Sequence, residues 1–104
     1  MTNKTTGIER IAAERQRQFE EEGRTDWSDE DHVCEELATA AALYAMPRHI
    51  RYDLPIRPSG VPAMWPWDAS WWKPGDRIRE LEKAGALIAA EIDRLIAARR
   101  EGAE

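Results

Sequence analysis

Asp76-Arg77-Ile78-Arg79-Glu80-Leu81-Glu82-Lys83-Ala84-Gly85-Ala86-Leu87-Ile88-Ala89-Ala90-Glu91-Ile92-Asp93-Arg94-Leu95 is the run whose reading decides the fold. Ile78, Leu81, Gly85, Ile88, Ile92 and Leu95 alternate spacings of three and four, the seam of a helix that packs on another helix. Asp76 is placed to cap its start, so the spacing predicts a helix over 77–98 with Arg99 and Arg100 fraying beyond it. Ala84, Gly85, Ala86, Ala89 and Ala90 would let a neighbouring helix approach closely.

Upstream of this helix lies a different kind of sequence. All six prolines fall between Pro47 and Pro74, and four of the five tryptophans stand in Trp65-Pro66-Trp67-Asp68-Ala69-Ser70-Trp71-Trp72. Loops longer than ~12–15 residues are uncommon in compact domains and are functional or disordered. Disordered segments are poor in aromatics, so an ordered, irregular insertion over 47–75 is the better reading.

Two more helices precede it. One is predicted over 29–46, with Ser28 as cap, acids Asp29, Glu30 and Asp31 in the first turn, and Pro47 as the stop. Val33, Leu37, Ala40, Ala41 and Tyr44 form its core stripe, and from Leu37 onward it is apolar nearly all round, as a helix buried on several sides should be. The other runs from about Gly7 to Glu22, opened by a Thr6-Gly7-Ile8-Glu9 capping box and closed by Gly23. Its apolar stripe, Ile8, Ile11, Ala12 and Phe19, is thin. With no strand-like alternation, the expectation is a single all-α domain over 1–104: three principal helices and a long Trp/Pro-rich insertion. These helices suggest more apolar surface than one chain covers, which favours a homo-oligomer, a dimer or higher, unless the tryptophan loop folds back over that surface.

The 104 residues suffice for one modest core. A net charge of -5 argues against a duplex nucleic-acid binder, because neutralising phosphates takes clustered Lys and Arg. The charge is uneven, however. Residues 1–36 hold eleven acids against five bases, whereas 47–74 hold Arg48, Arg51, Arg57 and Lys73 against Asp53 and Asp68. A basic, aromatic loop on an acidic body suits a small anionic ligand or an acidic partner. Cys34, the lone cysteine, excludes an internal disulfide and a multi-cysteine zinc site. Neither a signal peptide nor a membrane span is visible, and a soluble, cytoplasmic protein with no membrane partner is expected.

The candidate site residues come from every element. Trp71, Trp72 and Lys73 combine flat rings with a cation just before a helix start, where a base can stack and a phosphate is attracted. The plainer alternative makes several of the tryptophans core plugs, and at least two of the four are expected to be. Lys83 is a phosphate contact among small and apolar neighbours, unless Glu80 and Glu91 simply pair with Lys83 and Arg94 at i, i+3. Arg10 and Arg17 offer phosphate-binding forks on the first helix, although arginine is also an ordinary surface residue there. His32, Glu36 and Thr39 form one polar column, either holding polar edges of a ligand or lying solvated. No catalytic triad, Gly-rich phosphate loop or zinc-spaced cluster is present, so no catalytic residue and no metal ligand is assigned and no cofactor is expected.

Taken together, Glu9-Arg10, Glu14-Arg15-Gln16-Arg17-Gln18, Glu22-Gly23-x-Thr25, His32, Glu36-Leu37-Ala38, Tyr44-Ala45, Trp65-Pro66-Trp67, Trp71-Trp72-Lys73-Pro74 and Lys83-Ala84-x-Ala86-Leu87-Ile88-x-x-Glu91-Ile92 resemble a set of small proteins of tailed phages and prophages, over almost the whole chain. Arg24 departs from the pattern, where an aromatic residue follows the glycine. The resemblance implies a phage protein acting in the cytoplasm of an infected or lysogenic bacterium, and small phage proteins of this kind manipulate host defence or nucleotide pools. A looser, architectural likeness is to MazG-type all-α nucleotide pyrophosphohydrolases, which hold magnesium on a Glu-Glu-x-x-Glu cluster and a Glu-x-x-Asp pair. Here Asp31, Glu35, Glu36 and Glu91-Ile92-Asp93 do not reproduce that spacing. Three functions follow in descending order. The first is capture of a nucleotide-type phosphorylated ligand, such as a host immune signal. Next comes inhibition of a host protein through the tryptophan loop, and last a magnesium-dependent pyrophosphohydrolase.

Overall fold

The structure is a computed structural model that describes residues 6–21 and 35–102. Four α-helices appear among them: α1 (Gly7–Glu21), α2 (Glu36–Ala45), the single turn α3 (Arg48–Arg51) and α4 (Arg77–Gly102). There is no strand among the described residues, and the all-α class holds. Among the described residues no helix is long and apolar enough to cross a membrane.

Local chemistry accounts for the helix ends. The Thr6–Glu9 capping box forms in both directions: the Thr6 amide donates to Glu9 Oε1 at 2.8 Å, and the Glu9 amide to Thr6 Oγ1 at 3.2 Å. Asp76 caps α4 by accepting from the Arg79 amide at 3.2 Å. Glu35 sits in the left-handed region at φ 60, which no residue inside a right-handed helix adopts, so α2 begins at Glu36 rather than as part of one helix from 29. The proposed cap Ser28, the acids 29–31, His32 and Val33 lie outside the described residues. At the far end Pro47 stops α2, as proline must.

The core forms where α2 meets α4. Leu37, Ala40, Ala41, Leu43 and Tyr44 pack with Ala84, Leu87 and Ala90, and Val61 and Trp65 close the cluster from the intervening segment. α4 therefore uses the face holding Ala84, Leu87 and Ala90, not the Ile78–Leu95 seam. Ile78, Leu81, Ile88, Ile92 and Leu95 remain 43–58% exposed, with Gly85 alone in that row taken, by Ile11 of α1. A Cβ added at Gly85 would lie 2.5 Å from Ile11 Cδ1, so the glycine is what lets the two helices close.

α1 also turns differently from its apolar pattern. Ile8 and Phe19 point outward, while Glu14 and Gln18 are 3% and 4% exposed. The reason is electrostatic. α1 lies against α4 through ion pairs of both polarities: Arg79 Nη1 of α4 meets Glu14 Oε1 at 2.6 Å, while Arg10 of α1 meets Glu82 at 3.1 Å and Arg15 meets Asp93 at 3.3 Å. A thin stripe of four apolar residues loses to a row of cross-helix ion pairs.

Between α2 and α4 the chain is organised by one carboxylate. Glu80, 1% exposed, accepts from Arg51 (3.2 and 3.4 Å), from Arg77 (3.0 Å) and from the Gly75 amide (2.9 Å), with Arg48 Nε at 3.6 Å. The same arginines hold carbonyls: Arg51 that of Leu43, Arg77 those of Tyr44 and Ala45, Arg48 that of Gly75. The open C-terminal carbonyls of α2 are thus satisfied by α3 and α4. Further along, Gly60 at φ 89 makes a tight turn that most residues disfavour, bringing Ile56 and Pro62 together in an isolated antiparallel bridge.

Burial alone would push the Glu80 and Glu14 carboxyls up, but their hydrogen bonds and the arginine charges outweigh it and hold both at about 2, below the ordinary 4.5. A carboxylate depressed on folding adds stability above about pH 4.5, and that stability is lost as pH falls from there through 2. Glu80→Gln should cost about 3–5 kcal/mol at pH 7, since it leaves Arg51 buried and uncompensated. Its urea-unfolding curve should converge on that of the wild type near pH 2. Equal slopes of stability against pH in the two proteins would contradict this role.

Candidate functional site

Four aromatic rings meet beside the α2–α4 core. Tyr44 stacks on Trp72 with centroids 4.8 Å apart, and Trp65 meets Tyr44, Trp67 and Trp72 edge-on at 5.6, 5.3 and 4.9 Å. Trp65 is 2% exposed and donates its indole N–H to the Asp68 carbonyl at 3.0 Å. Asp68 caps the 3₁₀ turn over 69–71 by accepting from the Ser70 amide and hydroxyl, and those bonds hold its carboxyl below the usual range. Arg57 bonds the carbonyls of Trp65 and Trp67, so this basic residue fastens the loop. The path of residues 65–72 is fixed by its own polar groups.

That path leaves a cavity of ≈190 Å³ between the aromatic segment, α1 and α4. Tyr44, Trp65, Trp67, Trp71 and Leu87 supply apolar wall, and Glu14, Arg17, Gln18, Lys73, Arg79 and Lys83 supply polar wall. Four cations face one carboxylate on a chain whose net charge is -5. The cations are not equivalent. Arg17 grips Glu14 through two nitrogens at 2.9 and 2.8 Å, and Arg79 bridges Glu14 and Glu82. Lys83 instead donates to the Lys73 carbonyl at 2.9 Å and lies 5.5 Å from the Tyr44 ring centroid; Lys73 lies 5.9 Å from that of Trp71. Among the described residues neither ammonium has a carboxylate partner. Glu80, which could have paired with Lys83 at i+3, is committed to Arg48, Arg51 and Arg77.

The sequence-predicted residues separate in space. Arg17, Trp71, Lys73 and Lys83 line the cavity. Arg10 lies beyond the Glu14–Arg17–Arg79 wall, in a shallower neighbouring depression with Ala13 and Glu82. Trp72 is half-buried behind the cavity, between Tyr44 and the guanidinium of Arg51, 5.3 Å from its ring centroid. Glu36, in the first turn of α2, is outside the cavity lining, and its charge is felt by Arg94. His32 lies outside the described residues. Sequence reading missed Tyr44, Trp67, Gln18 and Arg79. Tyr44 read as core, and Gln18 could have been found only by knowing that α1 turns its polar face inward.

Burial, and then the nearby Arg79 charge, lower the Lys83 ammonium from its ordinary 10.5. Binding of an anion should therefore weaken with rising pH earlier than an ordinary lysine would allow. Reductively ¹³C-methylated protein should show one lysine methyl resonance titrating clearly below the others and missing in Lys83→Arg; a uniform set would contradict it. Searches of protein families, curated proteins and solved structures return no match to this chain.

Proposed function

We propose that this chain captures a small phosphorylated ligand of nucleotide type, with its phosphate at Lys73 and Lys83 and its ring against Trp71. The observation that carries this reading is a pair of lysines lining an aromatic cavity, neither with a carboxylate partner among the described residues. Arginine forks are spent on carboxylates here, whereas the two ammonium groups keep free donors for an anion. At ≈190 Å³ the cavity is smaller than the ~300–1,000 Å³ of typical ligand sites, so it encloses one end of such a molecule and leaves the rest at the mouth. Together with the phage-like sequence, binding without turnover fits sequestration of a host immune signal, a counter-defence role in the bacterial cytoplasm.

The pyrophosphohydrolase alternative would require magnesium. Among the described residues no three His, Cys, Asp or Glu side chains gather to hold an ion, so that reading gains no support from them. Inhibition of a host protein has one favouring feature: Ile50, Tyr52, Ile56 and Met64 are 46–80% exposed on the segment before the tryptophans.

A thermal-shift and calorimetric screen of mono-, di- and cyclic nucleotides, with and without magnesium, tests the three together. Trp71→Ala should weaken the nucleotide about ten- to a hundredfold with little loss of melting temperature, since stacking on a base is worth ~1–3 kcal/mol. Trp72→Ala should do the reverse, destabilising the fold by about 3 kcal/mol as its ring packs between Tyr44 and Arg51. No shift with any nucleotide, alongside capture of a host protein that Trp71→Ala abolishes, would favour the inhibitor. Product formation that stops on chelating magnesium would favour the hydrolase.

We further propose a homodimer through α4. Ile78, Leu81, Ile88, Ile92 and Leu95 keep a heptad spacing that their own chain leaves exposed, and a second copy offers the same spacing. Ile88→Glu with Ile92→Glu should halve the mass seen by light scattering and leave nucleotide binding intact. A wild type already monomeric at high concentration would remove the dimer.

A further inference from the structure

Gln18 is 4% exposed, lines the cavity, and has one atom unaccounted for. Its Nε2 donates to Glu14 Oε2 at 3.0 Å. Glu14 is ionised, and a carboxylate only accepts, so the amide nitrogen must face Glu14. The carbonyl oxygen, Oε1, is thereby turned away from Glu14, and no group among the described residues donates to it. Buried polar atoms are rarely left so, because an unpaired acceptor removed from water is costly to keep. Nor can the amide flip to relieve it, since a flip would set its oxygen against the Glu14 carboxylate.

The remaining charged groups of the wall make this oxygen distinctive. Arg17, Lys73, Arg79 and Lys83 only donate, and the Glu14 oxygens are already taken by Arg17, Arg79 and Gln18 itself. A ligand that merely carried negative charge would satisfy the lysines and leave Gln18 Oε1 orphaned. We propose that Gln18 is a specificity-determining residue that accepts a hydrogen bond from the ligand, so that the ligand is a phosphate ester also bearing an N–H or O–H donor. This rests on the nucleotide-binding reading above and adds its selectivity. The donor can be the amino group of a base or a sugar hydroxyl; both present the same chemistry to the carbonyl.

The test is a comparison of matched ligands. AMP is set against purine riboside 5′-monophosphate, which lacks the amino group, and against its 2′-deoxy and 3′-deoxy forms; GMP is set against IMP. Affinities are measured by calorimetry for the wild type and for Gln18→Met. One of the donor-lacking analogues should bind the wild type roughly tenfold or more weakly than its parent, since a site built to pair with a donor rejects the ligand without it. Which analogue fails tells base from sugar. In Gln18→Met the same pair should bind within about twofold of each other, because the acceptor is gone. Should that variant not fold, Gln18→Asn withdraws the carbonyl while keeping the amide, and should lose the discrimination too. Equal binding of every pair by the wild type, or discrimination that survives both substitutions, overturns the role of Gln18 while leaving nucleotide capture standing. Absence of any nucleotide binding by the wild type overturns both.

Discussion

Glu80 is the constraint on which the rest of the structure depends. A single buried carboxylate from α4 receives arginines from α3 and from α4 itself, and the amide that precedes α4. Those arginines in turn hold the last carbonyls of α2. A second polar tie runs between α2 and the approach to α4, where the Lys73 amide donates to the Tyr44 hydroxyl at 3.0 Å. Buried ion pairs add little net stability against a well-packed apolar substitute, because desolvation offsets much of the Coulomb gain. Their contribution here is geometric: Glu80 joins α3 and the Gly75 amide to the start of α4, and so holds together the two ends of the segment that carries the tryptophans.

A second consequence is the sorting of cations. Glu80 gathers Arg48, Arg51 and Arg77, and Glu14 gathers Arg17 and Arg79. The guanidinium fork matches a carboxylate edge in two bonds, so buried acids take arginines first. Lys73 and Lys83 are left over, one beside Trp71 and one over Tyr44. A lowered ammonium pKa at Lys83 follows from that position, and so does a positive cavity on an acidic chain.

Much of this was legible in the sequence. The capping box at Thr6–Glu9, the Asp76 cap, the Pro47 stop and the α2 stripe from Leu37 to Tyr44 need only local rules, and they hold. So does the expectation that some tryptophans serve as plugs, a role Trp65 and Trp72 fill. What escaped was the choice of face. Apolar periodicity marked the Ile78–Leu95 row of α4 and the Ile8–Phe19 row of α1, yet within the chain those helices meet through alanines, Gly85 and ion pairs. Periodicity counts apolar residues and cannot weigh a buried Glu14 held by two arginines. The cavity suffered likewise: Trp71, Lys73, Lys83 and Arg17 were readable as chemistry, but Gln18 joins the cavity wall only because α1 turns its polar face inward.

Side-chain resonances give the most direct test that the cavity is the ligand site. A ¹H–¹⁵N spectrum reports the five indole N–H groups and the glutamine amides separately while a nucleoside monophosphate is titrated in. The indoles of Trp67 and Trp71 and the amide of Gln18 should shift together along one saturable curve, with Trp72 nearly still. Saturable shifts confined to other residues, or none at all, would contradict the account.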